Sequence, residues 1–276
     1  MNITAQDVNK LRQQTGAGMM DCKKALTEAE GDFEKAIEFL RKKGQKVSAS
    51  RADRETREGA VMAKSLGNQG IIIALNCETD FVAKNADFLH LGDQILTTAV
   101  SHLPSDVEAL VKLSVDAKPI SDLLIDYIGK IGEKIEISHY QILKADTVIT
   151  YIHPGARLGV LVGFKGGEGS DLAAIGKDVA MQIAAMNPVA VDKDGVDPAL
   201  IQKEIEIGKE QARAEGKAEE MLEKIALGKL NKFYKESTLL NQEFVKDSSK
   251  TIQQYLKEQN PQLTISGFIR VQLGVN

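Results

Sequence analysis

The sequence predicts an α+β protein: a three-helix bundle first, then a core of two repeated β-β-α-α-β subdomains, with an antiparallel helical hairpin inserted into the second. Three observations carry this expectation. Over the first 45 positions apolar residues recur at helical spacing. Two short β-branched runs, Gly70–Leu75 (GIIIAL) and Leu158–Phe164 (LGVLVGF), are each followed by a helix start of the same pattern. From Pro198 to Leu227 charge dominates, and apolar residues return only at helical intervals.

In chain order, Ile3, Val8 and Leu11 share one helical face with Thr4 as N-cap, and TGAG at 15–18 ends that helix. A second helix over Met19–Glu30 places Met19, Cys22, Leu26 and Ala29 on one side. A third over Phe33–Lys43 carries Ile37 and Leu40. Domain 1–45 is this bundle, of a size that suits an interaction module. Met19 and Met20 are adjacent, so one helix face cannot bury both; the plain expectation is a core Met19 and a surface Met20. The stretch 46–58 continues a basic run (Arg41, Lys42, Lys43, Lys46, Arg51, Arg54, Arg57) without aromatics to stack bases, so a solvated linker is expected rather than an RNA contact.

The first core unit, 59–144, opens with a hairpin of Ala60–Leu66 and the Gly70 strand, turning at Gly67 and Asn68. Helices at Asp87–Ser101 and Ser121–Ile131 and a strand at Lys134–Leu143 complete it. The second unit spans 145–190 and 229–276: strands Thr147–Ile152 and Leu158–Phe164, helix Asp171–Met186, helix Thr251–Glu258 and strand Thr264–Leu273. The insertion, 191–228, pairs helices Pro198–Ala214 and Lys217–Leu227 through Ile201, Ile205, Gly208 and Ala212 against Ala218, Leu222 and Ile225.

The two units match at Asp87, Phe88, Leu91, Gly92, Ile95 and at Asp171, Leu172, Ile175, Gly176, Val179. Gly70 to Asp87 is 17 positions and Gly159 to Asp171 is 12, so the first copy has five more residues after its strand. The surplus holds Glu78, Thr79, Asp80, Phe81 and Val82. There an aromatic sits among polar residues with no period to carry it inward. It either folds back on its own domain or probes a partner's pocket. Because the second copy folds without this surplus, the probe is the reading adopted.

Other chemistry is looked for and not found. There is no G-x-x-x-x-G-K-[ST] sequence, and Gly166, Gly167 and Gly169 lack the spacing of a phosphate loop. His90, His102, His139 and His153 do not pair with Cys22 and Cys77 at zinc spacing, and neither H-E-x-x-H nor G-x-S-x-G occurs. Cys77 beside Glu78 is a poor thiolate, so a buried structural thiol is expected in preference to a thiol-dependent enzyme. Two cysteines on separate elements, no apolar run of about 20 residues and no basic-apolar leader lead to the expectation of a cytoplasmic protein with no membrane contact. A net charge of −4 argues against specific nucleic-acid binding. No metal and no cofactor are expected.

ETDFVAKN (78–85) resembles the motif-bearing loop of the bacterial elongation factor Ts family, and TGAGMMDCKKAL (15–26) resembles that family's N-terminal domain. The resemblance extends over nearly the whole chain. It implies a ubiquitin-associated-like fold for the first 45 residues and a guanine-nucleotide exchange factor, not an enzyme. The implied partner is the GTPase elongation factor Tu, whose hold on Mg²⁺ and phosphates the Asp80–Phe81 pair, flanked by Thr79 and Val82, would disturb. It also implies contacts from Arg12, Met19 and Met20, from Ile131 and Gly132 in the KIGE stretch, and from His153 in YIHPGARLG. The chain itself would bind no nucleotide. The family's hairpin insertion serves dimerisation or complex contacts, so a homodimer or a 2:2 complex is among the expectations. The chain departs from the pattern in two places: Pro154 is inserted beside His153 relative to some relatives, and GFIRVQLGVN ends where many members continue with a helical module. A lower affinity, or compensation by the hairpin, follows from the second. The competing reading is a non-catalytic adaptor working through the N-terminal helices alone.

Overall fold

In the computed structural model, which describes residues 3–274, the chain opens with helices α1 (Ala5–Thr15), α2 (Met19–Glu28) and α3 (Phe33–Ser50). Thr4 caps α1 as expected: its hydroxyl accepts from the Asp7 amide at 3.1 Å, and the Asp7 carboxylate accepts from the Thr4 amide at 3.0 Å. Leu11, Cys22, Ala25, Leu26 and Ala36 are fully buried between the three helices. Met19 stands 47% exposed, so it is not the core residue that periodicity alone suggested.

Helix α3 runs two turns beyond its expected end, through the basic stretch assigned to a linker. Lys, Gln and Ala are good helix formers, so a charge run does not stop a helix. What holds the extension is a second contact. Gly44 and Val47 face α7 (Ile120–Ile131), and a β-carbon on Gly129 would lie 2.8 Å from the Gly44 Cα, so the two helices meet backbone to backbone. Arg41 pairs with Asp122 along the same seam.

Strands β1 (Glu58–Leu66) and β2 (Gln69–Cys77) form the expected hairpin. One turn of helix, α4 (Asp80–Ala83), and the long α5 (Ala86–His102) follow. Helix α6 (Val107–Lys112) and a minimal ladder of β3 (Ser114–Val115) with β4 (Lys118–Pro119) lead into α7; none of the three was anticipated. Strand β5 (Glu136–Lys144) pairs antiparallel with β2, giving the order β1-β2-β5.

The remainder has a similar sheet. Strands β6 (Thr147–Ile152) and β7 (Leu158–Lys165) form a hairpin, and α8 (Leu172–Met186) covers it. Helices α9 (Pro198–Ala214) and α10 (Glu219–Ser237) pair tightly, with Gly208 against Ala226 rather than Ile225. Helix α10 reaches Ser237, beyond the expected Leu227, because Ala226 and Leu230 extend its buried stripe. A small ladder of β8 (Glu243–Phe244) and β9 (Asp247–Thr251), helix α11 (Ile252–Gln259) and strand β10 (Thr264–Gln272) complete the chain, with sheet order β10-β7-β6.

Each sheet therefore has its most apolar strand, β2 or β7, at the centre. Ile71, Ile73 and Leu75 face Phe88, Leu91 and Ile95 of α5 in one core; Val160, Val162 and Phe164 face Ile175, Val179 and Ile183 of α8 in the other. The opposite faces pack on one another through Val61, Ile72, Ala74, Val148, Leu161 and Val271. A strand buried on both faces is a rigid mount, and the candidate site stands at the end of β2. Among the described residues no helix is long and apolar enough to cross a membrane.

Candidate functional site

The mount ends at Cys77, which is fully buried. Burial pushes its thiol up to about 12, and the nearby Glu133 carboxylate adds to the shift, so the sulfur stays protonated and donates to the Thr79 carbonyl at 3.2 Å. It is a packing group, not a nucleophile.

Immediately after it the backbone leaves the sheet, and its amides need new acceptors. Both come from one side chain. The Glu78 and Thr79 amides donate to Oε2 of Glu133 at 3.1 and 3.0 Å, and the Thr79 hydroxyl donates to Oε1 at 2.6 Å. Glu133 reaches them because α7 ends at Gly132, whose φ of +82° turns the chain back toward the strand exit. The contact is reciprocal. The Lys134 amide donates to Glu78 Oε1 at 2.7 Å, and Nη1 of Arg51, just past the end of α3, donates to both Glu78 oxygens at 2.8 and 2.9 Å. Burial would raise the Glu78 carboxyl, but the Lys134 amide and Arg51 outweigh it and hold it below its ordinary value.

On this base stands α4. The Thr79 hydroxyl accepts from the Val82 amide at 3.4 Å, an N-cap that the expected irregular loop did not include. One helical turn sorts the side chains. Val82 and Ala83 pack on the core, while Asp80 and Phe81 point out. Phe81 is 83% exposed, the most exposed large apolar side chain among the described residues. Asp80 accepts from the Lys84 ammonium at 2.7 Å, which keeps its carboxyl ionised below the ordinary carboxylate range. Asn85 then caps α5 by accepting from the Asp87 amide at 2.8 Å.

The other expected contact residues lie around the same end. Ile131 is half-buried against the core, and Gly132 sits beside Glu133. Lys130, one residue before Ile131, pairs with Asp87 at 2.6 Å, and its ammonium lies 3.1 Å from where a Gly16 β-carbon would be. That brings the α1–α2 connection alongside, with Met19 and the 76% exposed Met20 at the start of α2. Arg12 is exposed one turn earlier, and its carbonyl accepts from the Gly16 amide at 2.7 Å. His153 is exposed in the β6–β7 turn, its Nδ1 2.9 Å from the Tyr151 hydroxyl. That turn is tied to β1 by Arg157 with Glu58, and Glu58 stands opposite Cys77. The sequence places Glu78 only among the polar residues around Phe81 and beside Cys77, and Arg51 only in a solvated basic linker, whereas the structure pairs the two; Glu133 carries no expectation at all. Their one sequence signal is charge at loop positions, which no period distinguishes from solvated surface.

The turn thus carries an exposed aromatic and an ionised carboxylate on a braced base, beside a thiol that stays protonated. Comparison with known sequences supplies the class. The family profile described as "Elongation factor TS" matches residues 78–275. The chain is 54% identical over 276 residues to Elongation factor Ts of Amoebophilus asiaticus (strain 5a2), covering 99% of this chain and all of the relative. It is 56% identical over 274 residues to Elongation factor Ts of Cytophaga hutchinsonii, covering 98% and 99%. With that of Christiangramia forsetii it shares 51% over 275 residues, covering 99% of each. This chain belongs to the elongation factor Ts family; it is a translation elongation factor and not an enzyme.

Proposed function

We propose that this chain is a guanine-nucleotide exchange factor for elongation factor Tu, binding its GDP complex and promoting GDP release through the Thr79–Val82 turn. The observation that carries the proposal is Phe81, 83% exposed at the tip of a turn whose base is fixed by the Glu133 and Glu78 carboxylates. An apolar ring held in water on a rigid mount is an anchor awaiting a pocket.

Exchange makes and breaks no covalent bond. A factor that prefers the GTPase form with a poor grip on nucleotide weakens GDP by the same factor as GDP weakens it, each tenfold requiring about 1.4 kcal/mol of coupling. Phe81 enters an apolar slot beside the Mg²⁺ site of the partner, and Asp80 fixes the approach. Displacing the segments that hold Mg²⁺ removes the charge neutralisation that retains the phosphates. Arg12, Met19, Met20, Ile131, Gly132 and His153 supply the surrounding contacts. On this reading residues 1–45 are a ubiquitin-associated-like docking module, the two sheets are copies of one unit, and the protein works in the cytoplasm. The α9–α10 hairpin mediates self-association or further complex contacts.

The test is the release rate of labelled GDP from elongation factor Tu with this chain, with its Phe81→Ala variant, and with neither. The proposal expects acceleration by the native chain and a loss of about thirtyfold in the variant, the 2 kcal/mol typical of an interface hot spot. No acceleration by the native chain overturns the function; acceleration untouched by the substitution overturns the role of Phe81.

A further inference from the structure

We propose that Glu133 is a positioning residue for the exchange reaction: its carboxylate, acting through Thr79, sets the direction in which Phe81 projects. The proposal rests on the exchange function above and adds to it a residue outside the 79–82 segment and outside the partner contacts.

Helix α4 has four residues, too few to be stable alone, because the first turn of a helix costs more conformational entropy than its bonds return. Something outside must hold it. Its start is held by the Thr79 hydroxyl, which accepts from the Val82 amide, and by the Thr79 carbonyl, which accepts from the Ala83 amide at 3.2 Å. Thr79 in turn is held by Glu133, which takes both its amide and its hydroxyl proton and also the amide of Glu78. Three donors converge on one carboxylate, the strong class of hydrogen bond. Fixing the hydroxyl proton toward Glu133 also leaves the Thr79 oxygen free to accept from Val82. Asp80 and Phe81 make no bond back to the 133–134 segment, so their aim derives from Thr79. The reverse half, the Lys134 amide on Glu78 with Arg51 outside, closes the clasp and ties it to α3 of the N-terminal bundle. Without it Phe81 samples many directions, and binding must first order the turn.

Glu133→Gln is the informative change, since its amide keeps a single, uncharged acceptor oxygen and cannot serve the Glu78 and Thr79 amides and the Thr79 hydroxyl proton together. The experiment measures labelled GDP release from elongation factor Tu against factor concentration for the native chain, Glu133→Gln, Phe81→Ala and the double variant. For Glu133→Gln the half-saturating concentration rises about tenfold, the cost of about one charge-assisted bond, while the rate at saturation stays within about twofold. In the Phe81→Ala background the same change has no further effect, because there is no ring left to aim. Equal losses in both backgrounds, or no loss in either, overturn the proposal. Hydrogen exchange of the chain alone gives a reading that needs no partner: the Thr79 and Val82 amides lose protection in Glu133→Gln while those of β2 keep theirs. Unchanged protection overturns the clasp even if the native chain proves inactive in GDP release, so the two failures are distinguishable. If Glu133→Gln does not fold, Arg51→Ala tests the reverse half with the same pattern expected at smaller amplitude, and full activity with full protection in that variant counts against the proposal.

Discussion

The two central strands leave their sheets in opposite ways. After β7 the chain passes through Gly166, Gly167 and Gly169, with φ of +69°, +89° and +78°, before Asp171 caps α8. A β-carbon on Gly166 would lie 2.5 Å from the Gln262 carbonyl oxygen, so the backbone hugs its neighbour and carries no large side chain. After β2 there is no glycine. The Glu133 carboxylate, from a distant loop, satisfies the amides, and the turn so made presents Asp80 and Phe81 to water. One exit is shaped by backbone freedom and carries no aromatic; the other is shaped by side-chain acceptors and holds Phe81 in water. A fold that needs only a strand-to-helix connection is served by the first kind, and on the proposed function the second kind is where binding has been added.

The two exits should respond differently to substitution. The largest effect on stability belongs to the glycine exit. Gly166→Val combines a left-handed backbone with a clash against Gln262, so a loss of about 2–3 kcal/mol in denaturant unfolding is expected, with GDP release by the folded fraction unchanged. Phe81→Ala should do the reverse, abolishing most exchange while moving unfolding by less than about 0.5 kcal/mol, as an exposed side chain does. A large stability loss from Phe81→Ala, or a loss of exchange from Gly166→Val, would break the comparison.

Smaller effects come from pH. The folded Glu78 carboxyl sits below its ordinary value of 4.5, so its contribution is complete above that pH and disappears as pH falls through the lower folded value. The Lys134 amide, which donates to Glu78, should therefore lose hydrogen-exchange protection in acid before the strands do. Cys77 shows the opposite sign. Its folded value of about 12 lies above the ordinary 9.0, so its contribution is complete below pH 9 and is lost as pH rises toward 12. Alkylation at pH 9 should leave Cys77 intact in the folded chain and modify it readily in urea.

What the sequence made legible was local. Strand Thr147–Ile152 and helix Pro198–Ala214 begin and end where patterning placed them, and Thr4 caps α1, because period, cap and turn signals act within a few residues. The unusual character of 78–82 was visible as an aromatic without a period. Its architecture was not. The Glu133 carboxylate lies 54 and 55 positions from the amides it accepts from, and no local signal encodes such a bond. The run of α3 to Ser50 was hidden for a similar reason, since Gly44 and Val47 belong to a stripe defined only by α7. Two-residue strands such as β3 and β8 fall below any pattern length.

The comparison itself supplies the most direct experiment. Residues Glu78–Asn85 are replaced by the Gly-Gly-Glu-Gly-Ser-Asp of positions 166–171, and GDP release from elongation factor Tu is measured alongside the melting curve. The account predicts a cooperatively folded chain that no longer accelerates release. A folded replacement that accelerates release as well as the native chain would contradict it, and would place the exchange activity elsewhere on the molecule.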